Sequence, residues 1–192
     1  MRLDVQYRNV ADIDECILDE FNSLIKEEHW VEYKYRANLF GTVENTPSTP
    51  NLYDSIMLRH HIDFCKGKEE PTNPCIENYK FFDYYFPVLD KILNRLSEFY
   101  VIDDYTSLLC NLRPGGQLAM HCDGGVGLED IHRVHIPITT NPEAWYFVED
   151  TQLNMLKGRI YEIDNQRFHG IHNVGQTDRI HLLVNIYGSP KG

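Results

Sequence analysis

His121-Cys122-Asp123 places a histidine and a carboxylate two positions apart. On a β-strand successive side chains alternate between two faces, so both would project the same way and could grip one ion. A second histidine downstream would complete a set of two histidines and one carboxylate. That set leaves coordination positions open and is the donor arrangement of non-haem Fe(II) oxygenases. His169 and His172 compete for the third place, and three positions apart on one strand they would face opposite ways. The same His-x-Asp spacing recurs at His61-Ile62-Asp63, but more than a hundred residues before His169 and beside a loop-rich stretch, which marks it as background. His121-Cys122-Asp123 instead follows the turn Pro114-Gly115-Gly116 on an alternating stretch. A histidine lies 48 residues on and an arginine ten beyond that.

The elements that must position these residues begin after Tyr105, where the hydrophobic period changes from helical to alternating. Strands are predicted near 105–112, 117–123, 132–138, 144–149, 158–164, 168–174 and 179–187. Their regular spacing and Gly/Pro turns are those of a sandwich or barrel. In the last of them Ile180, Leu182, Val184 and Ile186 form one apolar face, which needs helices behind it, while Arg179, His181, Leu183 and Asn185 form the other. Near 132–138 the pattern sets Val134, Ile136 and Ile138 against Arg133, His135 and Pro137. Polar side chains aimed into a barrel need a reason, because a buried charge without a partner is costly, and a bound anion supplies one. The inward set near 117–123 is predicted to be Gln117, Ala119, His121 and Asp123.

The first hundred residues read as packing and recognition elements. Asp12 with Glu15 resembles a helix start, and Ile13, Ile17, Phe21 and Leu24 recur at near-helical spacing. A second helix is predicted from Pro87, with Leu89, Ile92, Leu93, Leu96 and Phe99 as its stripe. The aromatic run Tyr79–Phe86 before it is core rather than a base-stacking platform, since a single basic residue, Lys80, interleaves it. Between 41 and 80 breakers surround a predicted strand at Tyr53–Arg59, and a loop region of this length suits a recognition lid. The whole, 1–192, is expected to be one domain: 1–104 helical and loop elements packed on a core, 105–188 the core with the site.

Composition narrows the function classes. With 42% apolar and 24% charged residues the chain is globular rather than disordered or fibrous. A net charge of −11 opposes a phosphate-backbone partner, so nucleic acid is not expected. Five cysteines with no Cys-x-x-Cys argue against a disulfide framework and a thiolate zinc site, and are expected to be reduced and buried. No apolar run approaches the length of a membrane span and the first residues show no signal-peptide pattern, so a cytoplasmic protein without membrane partners is expected. Gly124–Gly127 is no phosphate loop, because no Lys-Ser/Thr follows it, and reads as a hairpin over the site. One of Trp145 and Tyr146 would face inward; a core role suits either. His132 and His181 are expected to be structural.

Taken together, Pro114-Gly115-Gly116, His121-x-Asp123, Arg133-x-His135-Ile136-Pro137, Asn165, His169-x-x-x-Asn173 and Arg179-Ile180-His181-Leu182 resemble the aspartyl/asparaginyl β-hydroxylase family, which includes bacterial free-proline hydroxylases. The likeness covers roughly 105–187. It implies a mainly β fold with flanking helices, the double-stranded β-helix (jelly roll, cupin-like), and the use of Fe(II), 2-oxoglutarate and O2. By this resemblance His121, Asp123 and His169 ligate iron, Arg179 pairs with the distal carboxylate of 2-oxoglutarate, and Arg133 and His135 help to hold the co-substrate. Cys110 stands where some members have a co-substrate serine. Some members acting on protein aspartate lack the carboxylate ligand, whereas Asp123 is present here.

The chemistry agrees. Three protein ligands leave room at a six-coordinate iron for a chelating 2-oxo acid and O2. A divalent metal, one carboxylate and a dianionic co-substrate leave one negative charge, which a planar guanidinium suits better than lysine. Histidine binds metal as neutral imidazole, so affinity falls in acid. The function expected is therefore a dioxygenase hydroxylating an amino acid, free or in a peptide or protein, with release of succinate and CO2. Its partner would be a small-molecule or peptide substrate. The alternative is a non-catalytic jelly-roll protein that holds a metal or small anion. A nucleic-acid demethylase is disfavoured by the acidic charge and by the lack of a second arginine soon after Arg179.

Overall fold

Alternating apolar and polar residues can bury only one face of a strand, so strands of this kind stack in layers. The computed structural model describes residues 3–31, 52–61, 76–123 and 128–191. In chain order they form β1 (Tyr7–Asp12), α1 (Glu15–Leu24), α2 (Glu27–Val31), β2 (Tyr53–His61), β3 (Ile76–Asn78), α3 (Phe82–Leu96), β4 (Tyr100–Leu112), β5 (Gln117–His121), β6 (His132–Thr139), β7 (Ala144–Val148), β8 (Thr151–Leu153), β9 (Arg159–Ile163), β10 (His169–Asn173) and β11 (Arg179–Pro190). A seven-stranded antiparallel sheet has the order β1-β9-β6-β11-β4-β2-β3, and a four-stranded sheet the order β5-β10-β7-β8.

The apolar face of β11 behaves as its alternation predicts. Ile180, Leu182, Val184 and Ile186 join Val134, Ile136 and Ile138 of β6 in one buried cluster with Leu18 and Phe21 of α1 and Val88, Leu89, Ile92 and Leu96 of α3. Helices thus cover one side of the large sheet. Its other side meets the small sheet through a second cluster, with Leu112, Tyr161 and Ile163 from the large sheet and Tyr146, Val148 and Ile171 from the small one. The space between the sheets holds the inward polar residues.

Several boundaries differ from expectation for physical reasons. Asp14, not Asp12, caps α1, accepting a hydrogen bond from the Cys16 amide, because residues 7–12 are drawn into β1 by pairing with β9. Pro87 lies inside α3 rather than at its start; Phe82 and Tyr85 are buried on the same stripe as Val88 and Leu89, and this burial carries the helix back past the proline. β2 extends to His61 and joins the large sheet beside β4. β3, at the far end of the expected lid, pairs with β2; residues 41–51 and 62–75 of that lid, among them Ile62 and Asp63, and Gly124–Gly127 lie outside the described residues. Cys16, Cys110 and Cys122 are free; only Cys110 is buried, Cys16 and Cys122 being exposed, contrary to expectation. Among the described residues no helix is long and apolar enough to cross a membrane.

Candidate metal centre

The turn at Pro114 starts the site. Gly115 has φ +76°, which a type II turn requires at its third position, and the Gly116 amide closes the turn on the Arg113 carbonyl at 2.9 Å. β5 then runs antiparallel to β10, with His121 opposite His169. The register slips between them: three steps of β5, from Leu118 to His121, oppose two steps of β10, from Ile171 to His169. This is a bulge, and it changes which side chains face inward. Leu118 and His121 both line the cavity, whereas Gln117 and Ala119, expected to face inward, are exposed. Asp123 sits just past the strand end, its amide donating to the Asn165 carbonyl at 3.1 Å and its own carbonyl accepting from Gln166 Nε2 at 3.2 Å.

These devices bring the three expected ligands together. Nε2 of His121 is 3.5 Å from one carboxylate oxygen of Asp123, and Nε2 of His169 is 3.7 Å from the other. The three donor atoms lie within 4.8 Å of one another. Nδ1 of His121 is 2.8 Å from the Ala119 carbonyl and Nδ1 of His169 is 2.9 Å from that of Arg167. A carbonyl only accepts, so each Nδ1 carries the proton and each Nε2 keeps its lone pair for the shared point, which is how metal-binding histidines are oriented. Burial, opposed by the Arg167 carbonyl, lowers the His169 pKa to about 4, so it is ready to bind as neutral imidazole. The donor set fits a divalent transition metal. His172 lies on the other face, paired with Gln117 and Trp145.

Above the triad the inner faces of β6 and β11 carry the cations. Arg133 Nη1 donates to Asp123 Oδ2, and its Nε donates to Asn185 Oδ1 at 2.9 Å. Arg179 is 2% exposed, and among the described residues it has no carboxylate partner. Burial draws its pKa down to about 10, against the upward pull of Tyr146, Cys110 and Tyr53, so it remains a cation at neutral pH. Its guanidinium carbon lies 5.9 Å from the Tyr146 ring centroid. His135 is buried with both ring nitrogens unpartnered among the described residues. Buried polar groups normally find partners, so a guanidinium without a counter-charge and an orphaned imidazole on one cavity are a fit for an anionic ligand such as a 2-oxo acid.

The cavity measures about 310 Å³ and draws its lining from both sheets, a size that suits a small molecule. Tyr146 faces it, stacked on His169 at 5.9 Å and 5°. Tyr53, Ser55 and His60 of β2 also line it, and the Tyr53 hydroxyl donates to Cys110 Sγ at 2.9 Å. These three, with the backbone clamps Asn165 and Gln166, were not legible as site residues; only Asn165 stood in a recognised pattern. His132 is not part of the cavity lining and hydrogen-bonds Glu162 at 2.6 Å, the structural role expected of it.

The family model of aspartyl/asparaginyl beta-hydroxylases matches residues 77–188, more than half of the sequence. The chain belongs to the aspartyl/asparaginyl β-hydroxylase family. The match contains all three triad residues and Arg133, His135 and Arg179; β2 lies outside it. For this β-hydroxylase family member, the His-x-Asp…His triad is consistent with a 2-oxoglutarate-dependent dioxygenase. Among curated proteins no sequence matches significantly. Among solved structures, a prolyl-4-hydroxylase of Pseudomonas putida aligns with a TM-score of 0.51 and 10% identity, over 98% of this chain and 95% of that one. A viral collagen prolyl hydroxylase from Paramecium Bursaria Chlorella virus-1, in its 2OG complex, gives 0.47 and 11% over 96% and 98%. A cupin domain from Bordetella pertussis gives 0.36 and 16% over 46% and 92%. The first likeness identifies the fold: a double-stranded β-helix of two antiparallel sheets with few helices.

Proposed function

We propose that this chain is an Fe(II)- and 2-oxoglutarate-dependent dioxygenase that hydroxylates an amino acid, free or within a peptide or protein, releasing succinate and CO2. One observation carries the reading: the donor atoms of His121, Asp123 and His169 converge within 4.8 Å on the wall of a cavity that also contains the buried cation Arg179. Those three side chains would hold ferrous iron. With a chelating 2-oxo acid and O2 the metal supplies the oxidising chemistry, and the protein's share is binding, orientation and exclusion of water.

Each cavity residue has a task under this reading. Arg179 takes the distal carboxylate of the co-substrate, and His135 offers its ring nitrogens to the same ligand. Tyr146, stacked on His169, keeps that imidazole in plane and walls the cavity. The charges leave a further hint. A divalent metal, the Asp123 carboxylate, a dianionic co-substrate and the Arg179 guanidinium sum to zero. Arg133, ion-paired with Asp123, brings that total to one positive charge, which favours a substrate bearing a carboxylate.

The test is to supply Fe(II), 2-oxoglutarate and O2 and screen free amino acids and short peptides. Succinate release together with a product heavier by one oxygen atom supports the reading. Anaerobic mixing with Fe(II) and 2-oxoglutarate should also give the weak visible charge-transfer band of a chelated complex. If neither band nor succinate appears, the chain is a non-catalytic jelly-roll binder.

A further inference from the structure

We propose that His181 is a positioning residue that aims the Arg179 guanidinium while leaving its charge free for the co-substrate; the inference rests on the 2-oxoglutarate reading above. The two residues occupy alternate positions of β11 and both point between the sheets. Nη2 of Arg179 lies 3.0 Å from Nδ1 of His181. Arginine has donors only, so Nδ1 must be the acceptor, and a neutral His181 then carries its proton on Nε2. Nε2 has no partner among the described residues. His181 is fully buried, and burial, Arg179 and His135 together hold it neutral well below its ordinary range.

This arrangement differs from the usual way of fixing a buried arginine. An aspartate or glutamate at the same place would align the fork equally well and cancel its charge. A neutral acceptor aligns one Nη and cancels nothing, so the rest of the fork presents a full cation to an incoming carboxylate. A histidine kept only for packing would not need to leave Nε2 orphaned, since a buried unsatisfied donor is destabilising. The cost is intelligible if Nδ1 is needed where it is.

The experiment is calorimetric titration of Mn(II)-loaded protein with two chelators, 2-oxoglutarate and oxalate, of which only the first has a distal carboxylate. His181→Leu removes the acceptor, and its affinity for 2-oxoglutarate is expected to fall about tenfold or more, the scale of one charged hydrogen bond. Its affinity for oxalate is expected to stay within about threefold of the parent. His181→Asn restores a neutral acceptor near Nδ1 and should recover most of the 2-oxoglutarate affinity. His181→Asp restores alignment but neutralises Arg179 and should bind 2-oxoglutarate no better than the leucine variant. Equal weakening for both chelators, or an aspartate variant that binds as the parent does, overturns the inference. If His181→Leu does not fold, the asparagine and aspartate variants still decide it between them. Parent protein that binds oxalate but not 2-oxoglutarate overturns the co-substrate reading itself, a different result from parent binding that His181 does not affect.

Discussion

His169 and His172 are three positions apart on β10, and strand alternation sends one to the triad and the other to the outer face. The chemistry at the two positions should differ accordingly. His121→Ala, Asp123→Ala and His169→Ala each remove one of three ligands and are expected to abolish Fe(II)-dependent succinate formation. His172→Ala is expected to keep at least about a tenth of it, because its side chain touches no ligand position. Reversal of the two histidines in a succinate assay would reassign the third ligand. Asp123 has a further role, since it is the acid that Arg133 pairs with. Asp123→Asn keeps the shape and loses the charge, and leaves Arg133 buried without a counter-charge; lower metal affinity together with a lower melting temperature is the expected result.

At the scale of elements, the bulge in β5 decides whether His121 faces His169. Gly170 is the residue that lets the bulge form, because a Cβ there would lie 2.9 Å from both the Leu118 carbonyl and Met120 Sδ. Gly170→Ala should therefore push β5 away from β10. Overpacking of this kind costs about 1–3 kcal/mol. Metal affinity, read by Mn(II) titration, should fall with the melting temperature; unchanged values for both would show that the strand pair does not depend on the glycine. The same bulge explains where alternation was a poor guide. It predicted the inward sets of β6 and β11 correctly, as those strands are paired in regular register over the cavity residues Arg133, His135, Leu183 and Asn185. It failed for Gln117 and Ala119, since one extra residue reverses the faces and leaves no trace in the polarity pattern. Tyr53, Ser55 and His60 reach the cavity only because β2 pairs with β4 some fifty residues on, a contact for which the local sequence has no periodic signal. The start of α3 was misplaced for a related reason: burial of Phe82 and Tyr85 outweighed the proline's preference for a first turn.

For the whole molecule, the acidic chain encloses a cationic interior: the net charge is −11, yet the cations Arg133 and Arg179 and the neutral imidazoles of His135 and His181 meet between the sheets with Asp123 as the acid among the described cavity residues. This arrangement makes the metal-free protein sensitive to acid. His169, His135 and His181 all have pKa values lowered by burial, to about 4 for His169. The unfolded chain takes up these protons near pH 6.5 and the folded one only further into acid, so stability is full above that range and is lost as pH falls through it. His169 alone accounts for about 2 kcal/mol between pH 7.5 and pH 5, and the other two histidines act with the same sign. Glu162 extends the loss into stronger acid: burial raises its pKa, but hydrogen bonds from His132 and Tyr100 and the charge of Arg8 outweigh this and hold it below the ordinary carboxylate value. Relief of surface repulsion works the other way, but exposed carboxylates protonate mainly below about pH 5. Urea unfolding of the metal-free protein at pH 7.5, 6.5, 5.5 and 5 should therefore show a midpoint that falls steadily with pH. A midpoint that is flat or rises on acidification would mean that these imidazoles are solvated and that the space between the sheets is wetter than its geometry implies.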